Sequence, residues 1–333
     1  MRSTEYRVSK EPRREPDRAP GAAPIPDFAA PAPRLWRRLE LPTWLVGIAV
    51  YGGWGLTTWY YHALPWWLVL PLGAWFVSWH GSLQHEALHG HPTRWPWLNA
   101  LFACPPLWLW LPYQLYRESH LVHHDEDILT SPTEDPESFY VTPEAWARMN
   151  FALRGLYRFS NTVPGRLTFG PLNAYRNLAV SEWRRLRARN TSHVRAWLVH
   201  FVVAAALLYW VLVVVRMPLW AYIAFFAYPG LALTMLRSFA EHRPAREPGH
   251  RSVVVETNLP MRLLYLNNNY HAPHHARPDL AWYDVGAYYH ANKGAFLQRN
   301  GAYLFRGYGE QLRSFFFKAK DLPVHPNGSG PRP

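Results

Sequence analysis

Residues 44–89, WLVGIAVYGGWGLTTWYYHALPWWLVLPLGAWFVSWHGSLQHEALH, carry the strongest structural signal in this chain. Two apolar stretches, residues 44–61 and 64–79, are separated only by His62 and Ala63, and Pro65 follows directly. Each stretch approaches the length of about 20 residues that a helix needs to cross a bilayer. The stretch therefore predicts a helical hairpin in a membrane, and its second helix ends in a histidine-rich motif.

A second hairpin follows later in the chain, formed by apolar residues 194–215 and 218–236 on either side of Arg216 and Met217. Because both turns are very short, we expect them to emerge on the same, non-cytoplasmic side. Nearly all arginines and lysines lie outside the turns, so the positive-inside rule places both termini and residues 80–193 in the cytoplasm. We expect a multi-pass protein of a bacterial inner membrane with a cytoplasmic active site.

Two further segments leave alternatives open. Residues 97–113 are apolar, but Pro105, Pro106 and Pro112 interrupt them. This pattern favours a re-entrant or interfacial segment, and a fifth crossing is the alternative. Residues 144–193 combine spaced aromatic side chains with arginines, which predicts amphipathic helices on the membrane surface. A solvated basic linker is the alternative for this segment.

The composition supports a membrane location. The chain has 18 Trp, 19 Tyr and 16 Phe against 17 % charged residues, and Trp and Tyr concentrate at membrane interfaces. The net charge of +12 arises from arginines beside apolar segments, which favours a membrane surface. No nucleic-acid-binding motif is present. Since Cys104 is the only cysteine, an internal disulfide and a cysteine-held iron–sulfur cluster are excluded.

These patterns predict an all-α integral membrane protein with four transmembrane helices in two hairpins and a cytoplasmic helical cap. The histidines at 85–89, 120–124 and 271–275 predict that this cap holds a histidine-ligated di-metal site. Residues 1–35 are rich in Pro, Arg, Glu and Ala and are expected to form a disordered N-terminal tail, not a cleavable signal peptide. We expect one domain over residues 36–310 and a C-terminal tail over residues 311–333.

Three histidine motifs indicate the chemistry: HEALH at 85–89, HLVHH at 120–124 and HAPHH at 271–275. On a helix, positions i, i+3 and i+4 share a face, so we expect each motif to aim its imidazoles at one point. Neutral imidazole binds iron, zinc and copper. The motifs hold eight imidazoles, more than one tetrahedral zinc needs, which favours a two-metal centre. We expect Pro273 in the first turn of its helix, with His271 just before it.

The remaining histidines differ in their expected roles. His242 follows the last crossing and is a candidate ninth ligand, while His80 and His91 are alternatives that could each replace a ligand. The other histidines are predicted to be surface or capping residues: His62, His193, His200, His250, His290 and His325. Four carboxylates are candidates to accept the second ring N–H of a ligating histidine: Glu86, Glu118, Asp125 and Glu241.

The three motifs resemble the three histidine boxes of the membrane fatty acid desaturase superfamily, and residues 130–137, TSPTEDPE, resemble the stretch that often follows the second box. The resemblance covers about residues 44–290. It implies a non-haem di-iron centre with two Fe ions, and O2 as the oxidant. Its metal ligands would be His85, His89, His120, His123, His124, His242, His271, His274 and His275. Pro273, inside the third motif, departs from the family pattern.

The resemblance implies an oxidoreductase, and three functions compete. The first is a fatty acyl desaturase that introduces a C=C bond by hydrogen abstraction. The second is a di-iron hydroxylase or ketolase acting on an alkyl chain or a carotenoid. The third is a histidine-rich metal transporter or binding protein, which is disfavoured because transporters place ligands near the membrane midplane.

The resemblance also implies partners: a lipid acyl chain or other long alkyl substrate, O2 and an electron donor. No HPGG haem-binding motif is present, so the donor is expected to be a separate ferredoxin- or rubredoxin-like protein that docks on the basic cytoplasmic face. An apolar tunnel would position the substrate. Trp75, Trp79 and Trp108 are candidates for its wall, and lipid-facing positions are the alternative for them.

Overall fold

The computed structural model describes residues 25–26 and 34–326, so most of the predicted N-terminal tail lies outside the described residues. The described part is mostly helical. It begins with α1 (Leu35–Arg38), α2 (Leu41–Trp59) and α3 (Trp66–Leu88). Pro65 precedes the first turn of α3, where its missing N–H costs nothing. The two long helices form the hairpin that the sequence predicts, and α3 continues into the first histidine motif.

The proline-interrupted segment does not form a long helix. It contains α4 (Pro96–Ala103), followed by residues 104–112 without helical structure and then by α5 (Tyr113–His123). A helix of eight residues is about 12 Å long, much shorter than the ~30 Å hydrocarbon core of a bilayer. This length fits a re-entrant or interfacial segment and not a fifth crossing.

Three helices occupy the predicted amphipathic region: α6 (Pro143–Arg148), α7 (Phe151–Ser160) and α8 (Val163–Arg187). Each begins after a residue whose side chain accepts a hydrogen bond from a backbone N–H of the first turn, namely Thr142, Asn150 and Thr162. The helices are therefore confirmed. Their position on a membrane surface stays a prediction.

The second hairpin begins with α9 (Val194–Tyr209), which continues as a π-helical segment, Trp210–Val214. After a short turn, α10 (Leu219–Tyr222), a second π-helical segment (Ile223–Ala227) and α11 (Tyr228–Glu241) form one continuous helix. Among the described residues, two helices are long and apolar enough to cross a membrane, Val194–Val214 and Leu219–Glu241. Four crossings therefore stay a prediction, since α2 and α3 do not meet the same criterion.

The two hairpin turns lie side by side. His62 Nε2 donates to the carbonyl oxygen of Val215 at 3.0 Å, and Trp210 Nε1 donates to Thr58 Oγ1 at 3.0 Å. Trp59 stacks on Trp210 with ring centroids 5.7 Å apart. Both α3 and α11 run away from these turns, so both end at the opposite end of the molecule.

The core lies between the two hairpins. Val77 of α3 and Leu231 of α11 are among its buried side chains. Glycines permit this close packing, because an added Cβ at Gly230 would lie 2.5 Å from Val77, and one at Gly73 would lie 2.4 Å from the carbonyl oxygen of Phe225. The close contact fixes α3 relative to α11 and therefore positions the two helix ends that carry histidines.

The C-terminal region is a set of short elements around these helix ends. It contains a 3₁₀ turn (Pro248–His250), β1 (Val254–Val255), α12 (Leu259–Leu264), α13 (His271–Ala276), α14 (Trp282–Ala291), α15 (Lys293–Arg299), β2 (Leu304–Phe305) and α16 (Tyr308–Phe315). The strands β1 and β2 pair in parallel and are a small departure from the predicted all-α class.

The predicted C-terminal tail, residues 311–333, begins inside α16. Gln311, Lys320 and His325 have buried side chains, and Val324 pairs with Val141. The described part of this segment, up to residue 326, is therefore packed on the rest of the protein. The contacts of Val324 with Val141 and of His325 with Thr130 join residues far apart in sequence, so the local pattern did not reveal them.

Candidate metal centre

The structure brings all nine predicted ligand histidines together in two groups. The first group contains His85, His89, His120, His124 and His274, and the second contains His123, His242, His271 and His275. Within each group, one ring nitrogen per histidine lies within 4.8 Å of the others. Seven of the nine are buried, and His89 and His242 are partly exposed.

Three helix C-termini converge on these groups. Helix α3 ends at Leu88 next to His89, α5 ends at His123, and α11 ends at Glu241 next to His242. The carbonyl groups at a helix C-terminus carry partial negative charge and stabilise a cation nearby. The backbone thus adds favourable electrostatics for a metal ion to the nine imidazoles.

The prediction that each motif aims at one point is wrong for the second and third motifs. His120 and His124 belong to the first group, whereas His123 belongs to the second; His274 and His275 are divided in the same way. Consecutive residues differ by about 100° around a helix axis, so the two rings of a His-His pair point in different directions. Each of these helices therefore contributes to both groups.

The distances between ring nitrogens fit metal binding. In the first group, the Nε2 of His124 lies 3.0 Å from that of His120 and 3.2 Å from that of His274. In the second, the Nε2 of His242 lies 3.0 Å from that of His123 and 2.9 Å from that of His271.

Neutral imidazole has one N–H, so such contacts set lone pairs against each other unless a proton or cation lies between them. Two nitrogens about 2.1 Å from one metal ion and at right angles would lie about 3 Å apart. The Nε2 atom of His89 is buried without a hydrogen-bond partner among the described residues. The donor set therefore fits a metal pair, one ion in each group.

Most of these histidines are held in the neutral form that binds metals. Burial, reinforced by nearby imidazoles, lowers the pKa well below the usual value for His89, His124, His242, His271, His274 and His275. His123 differs. Burial alone would lower its pKa, but the carboxylates of Asp135 and Glu137 outweigh burial and raise the pKa of His123 to about 9.

Carboxylate and amide oxygens accept the second ring N–H of three histidines. Asp135 Oδ1 lies 2.9 Å from His123 Nδ1, and Glu137 Oε1 lies 3.2 Å from His120 Nδ1. Asn268 Oδ1 lies 2.9 Å from the Nδ1 of His271. Such acceptors fix the tautomer, so that Nε2 presents its lone pair to the metal. Burial raises the pKa of Glu137, but the nearby His120 and His123 outweigh burial and lower this pKa to about 2.

Sequence reasoning missed these three acceptors. Of the four carboxylates proposed, Glu241 lies near a ligand, with Oε1 3.4 Å from His271 Nδ1, and Glu86 Oε1 lies 3.9 Å from His85 Nδ1. Glu118 contacts Gln114 and His193, and Asp125 accepts from the backbone of Asp127. A signal did exist, because Asp135 and Glu137 both lie in the TSPTEDPE stretch after the second motif.

His271 is well placed despite Pro273. It is the first residue of α13, and Pro273 is the third. The first four N–H groups of a helix have no intrahelical partner, so proline in this turn removes no hydrogen bond. Pro273 therefore does not disturb the ligand geometry, in agreement with its predicted place in the first turn.

Apart from His242, the histidines outside the motifs lie outside both groups. His80 is fully buried between the rings of Tyr51 and Trp108, and His91 pairs with Glu40 at 2.6 Å. The prediction of surface or capping roles is wrong for two residues. His200 is buried and donates to Leu109, and His325 is buried beside Thr130.

Comparison with known proteins gives one family. The sequence model of the family described as "Fatty acid desaturase" matches residues 61–307, about three quarters of the chain. The matched region includes all nine histidines, α3 and the second hairpin, but not α2. No curated protein matches the chain.

Proposed function

The chain belongs to the fatty acid desaturase family, and on this basis we propose that it is a membrane-bound, O2-dependent di-iron enzyme that introduces a double bond into a fatty acyl chain. The family consists of membrane-associated oxidoreductases of the desaturase and hydroxylase type, which act on lipids with O2. The observation that carries the proposal is the pair of histidine groups, nine imidazoles with converging nitrogens.

In the proposed enzyme, each histidine group holds one iron. The bound irons would supply O2-dependent oxidation of an unactivated C–H bond, which amino-acid side chains alone do not perform. The protein contributes the rest. Asp135, Glu137 and Asn268 keep the proton on Nδ1 of their histidines, and the imidazole shell offers no thiolate that an oxidant would attack. Burial of the histidines keeps bulk water away from the centre.

The membrane arrangement that we propose has four crossings and a cytoplasmic cap. The paired turns, at one end of the molecule, support two hairpins inserted from the same side. Exposed apolar side chains on the first hairpin, such as Ile48, Leu56, Trp66 and Trp67, suit contact with lipid. The histidine groups would then lie at the cytoplasmic ends of α3 and α11. Residues 36–310 would form the catalytic domain, in the inner membrane of a bacterium.

The substrate and the donor would reach the centre from different sides. We propose that the acyl chain enters from the membrane and runs along α3, past Trp75 and Trp79, whose rings contact each other edge to face. A separate ferredoxin- or rubredoxin-like donor would dock on the cytoplasmic face, where basic side chains such as Arg184, Arg185 and Arg187 would attract an acidic partner.

Metal analysis tests the centre. We expect two irons per chain in protein purified in detergent after iron-replete expression. His124→Ala should lower the iron content and abolish turnover, because it removes a ligand from the first group. His290→Ala is the matched control, since His290 is exposed and outside both groups. Zinc alone, one iron per chain, or full iron content in His124→Ala would contradict the di-iron proposal.

Product analysis tests the reaction. Lipid and carotenoid profiles of a deletion strain and of the complemented strain should differ by one double bond in a fatty acyl chain. A missing hydroxyl or keto group on an alkyl chain or carotenoid would instead assign hydroxylation or ketolation to the same centre.

A further inference from the structure

A cavity lies between α7 and α8, and none of the nine ligand histidines lines it. Its volume is about 170 Å³, and its lining includes Phe139, Leu156, Asn161, Arg166, Phe169 and Arg176. A cavity needs only about 15 Å³ of such space to hold one water molecule. The cavity is therefore large enough for a polar group of several atoms.

Arg166 is the unusual residue of this cavity. Its side chain is 4 % exposed, and neither Nε nor Nη1 has a hydrogen-bond partner among the described residues. The guanidinium lies over the ring of Phe139, 3.7 Å from the ring centre. Burial lowers the pKa of Arg166 to about 10, so the group is still charged at neutral pH.

The carboxylate that acts on Arg166 is shared with a second buried cation, Lys320. Asp321 is the carboxylate that acts on Arg166, but its Oδ2 is already 2.8 Å from Lys320 Nζ and accepts from Tyr140 at 3.0 Å. A buried cation without a counter-charge is strongly unfavourable, and so are buried N–H groups without acceptors. An anion in the cavity would relieve both costs.

The rim of the cavity combines positive charge with apolar surface. Arg176 is exposed at the rim, and the neighbouring side chains Leu156, Phe169 and Leu172 are 39 %, 38 % and 51 % exposed. A small anion from solution would use only the charged part. A molecule with an anionic head and an apolar chain would use both.

We propose that this cavity binds the anionic headgroup, a phosphate or a carboxylate, of a membrane lipid. Arg166 is the buried counter-charge, Arg176 holds the outer side of the headgroup, and the lipid chain lies on the exposed apolar side chains of α7 and α8. Charge-assisted hydrogen bonds from arginine to phosphate or carboxylate oxygens are among the strongest that a protein forms. The cavity shares no lining residue with the histidine groups, and the proposal does not depend on the proposed reaction.

Lipid titration of the full-length protein in detergent tests the proposal. Phosphatidylglycerol binding would be followed by mass spectrometry of the intact complex, with phosphatidylcholine as the zwitterionic comparison and inorganic phosphate as the free anion. We expect Arg166→Gln to weaken phosphatidylglycerol binding at least about tenfold, since it removes a charged hydrogen-bond donor. Arg184→Gln is the matched control, because Arg184 lies on the same helix, is exposed and does not line the cavity.

Each outcome decides the matter. Unchanged phosphatidylglycerol affinity in Arg166→Gln, or an equal loss in Arg184→Gln, would overturn the site. Phosphate binding with the same dependence on Arg166, but without lipid binding, would overturn the lipid assignment. If Arg166→Gln does not fold, Arg176→Gln replaces it. Arg176 is exposed, so its loss should leave the fold intact and still weaken lipid binding several-fold.

Discussion

Among single residues, Asp135 holds one histidine of the second group, His123. Its Oδ1 accepts from His123 Nδ1 and from the backbone N–H of Glu137, both at 2.9 Å, and its Oδ2 accepts from the N–H of Thr130 at 2.8 Å. The carboxylate is thus fixed by the backbone and in turn fixes one ligand. This makes Asp135 a positioning residue for His123.

Asp135→Asn should weaken metal binding about 10- to 100-fold, the usual effect of removing a partner of a metal-binding histidine. The amide can accept the His123 hydrogen bond but lacks the negative charge that supports the bound cation. Titration of the iron-loaded protein with a chelator measures the change.

Asp125→Asn is the control for this substitution. Asp125 is exposed, directly follows a ligand histidine, and accepts only a backbone hydrogen bond from Asp127 among the contacts described above. The iron affinity of the Asp125→Asn variant should equal that of the unchanged protein. Equal iron affinities for Asp135→Asn and Asp125→Asn would show that Asp135 does not position a ligand.

At the level of elements, the α3–α11 contact determines how far apart the ends of these helices lie. Gly73 and Gly230 both lie in this contact, and an added Cβ on either would lie within 2.5 Å of the other helix. Small residues permit such close approach of helix backbones. The helix ends carry His85 and His89 on one side and His242 on the other.

Gly230→Ala should therefore lower the free energy of unfolding by about 1–3 kcal/mol, the usual cost of adding atoms to a packed core. It should also lower iron content, because α11 must shift away from α3. Gly52→Ala on α2 is the matched control, since no atom lies within 4 Å of its added Cβ.

Thermal unfolding and iron analysis of both variants measure these effects. Gly52→Ala should be neutral or slightly more stable, since alanine favours a helix over glycine by roughly 0.5–1 kcal/mol. If Gly230→Ala were as stable and as rich in iron as Gly52→Ala, close packing of α3 on α11 would not matter for the centre.

At the level of the whole molecule, the fold separates two ends. The hairpin turns meet at one end through His62 and Val215, and the histidine groups lie at the other, where α3 and α11 end. The last turn of α8 is rich in arginine, with Arg184, Arg185 and Arg187. The positive-inside rule places such a segment in the cytoplasm. This arrangement predicts opposite sides of the membrane for the turns and for α8.

Thiol labelling tests this orientation. In a Cys104→Ser background, Ala63→Cys and Arg216→Cys place a thiol in each turn, and Arg184→Cys places one on α8. An impermeant reagent should label the turn positions in intact spheroplasts and the α8 position only in inverted vesicles. Labelling of one turn from each side would rule out two hairpins inserted from the same side.

Much of the fold was readable locally. The apolar runs around His62 and around Arg216 predicted two helical hairpins, because burial in an apolar medium depends on composition over about 20 residues. The packing of residues 311–326 was not readable, since Lys320 contacts His242, 78 residues away, and His325 contacts Thr130, 195 residues away. Only the folded chain brings them together.

The sequence by itself predicted which nine histidines gather, eight from their helical spacing and His242 from its position after the last predicted crossing, because these are local properties. Only the tertiary structure decided how the nine are divided. His123 and its neighbour His124 lie in different groups, His123 with His242 in the second and His124 in the first. Asp135, Glu137 and Asn268 are the hydrogen-bond acceptors of three of the histidines. The physical reason is directional. Adjacent rings on a helix point about 100° apart, and the packing of other helices determines what each ring meets.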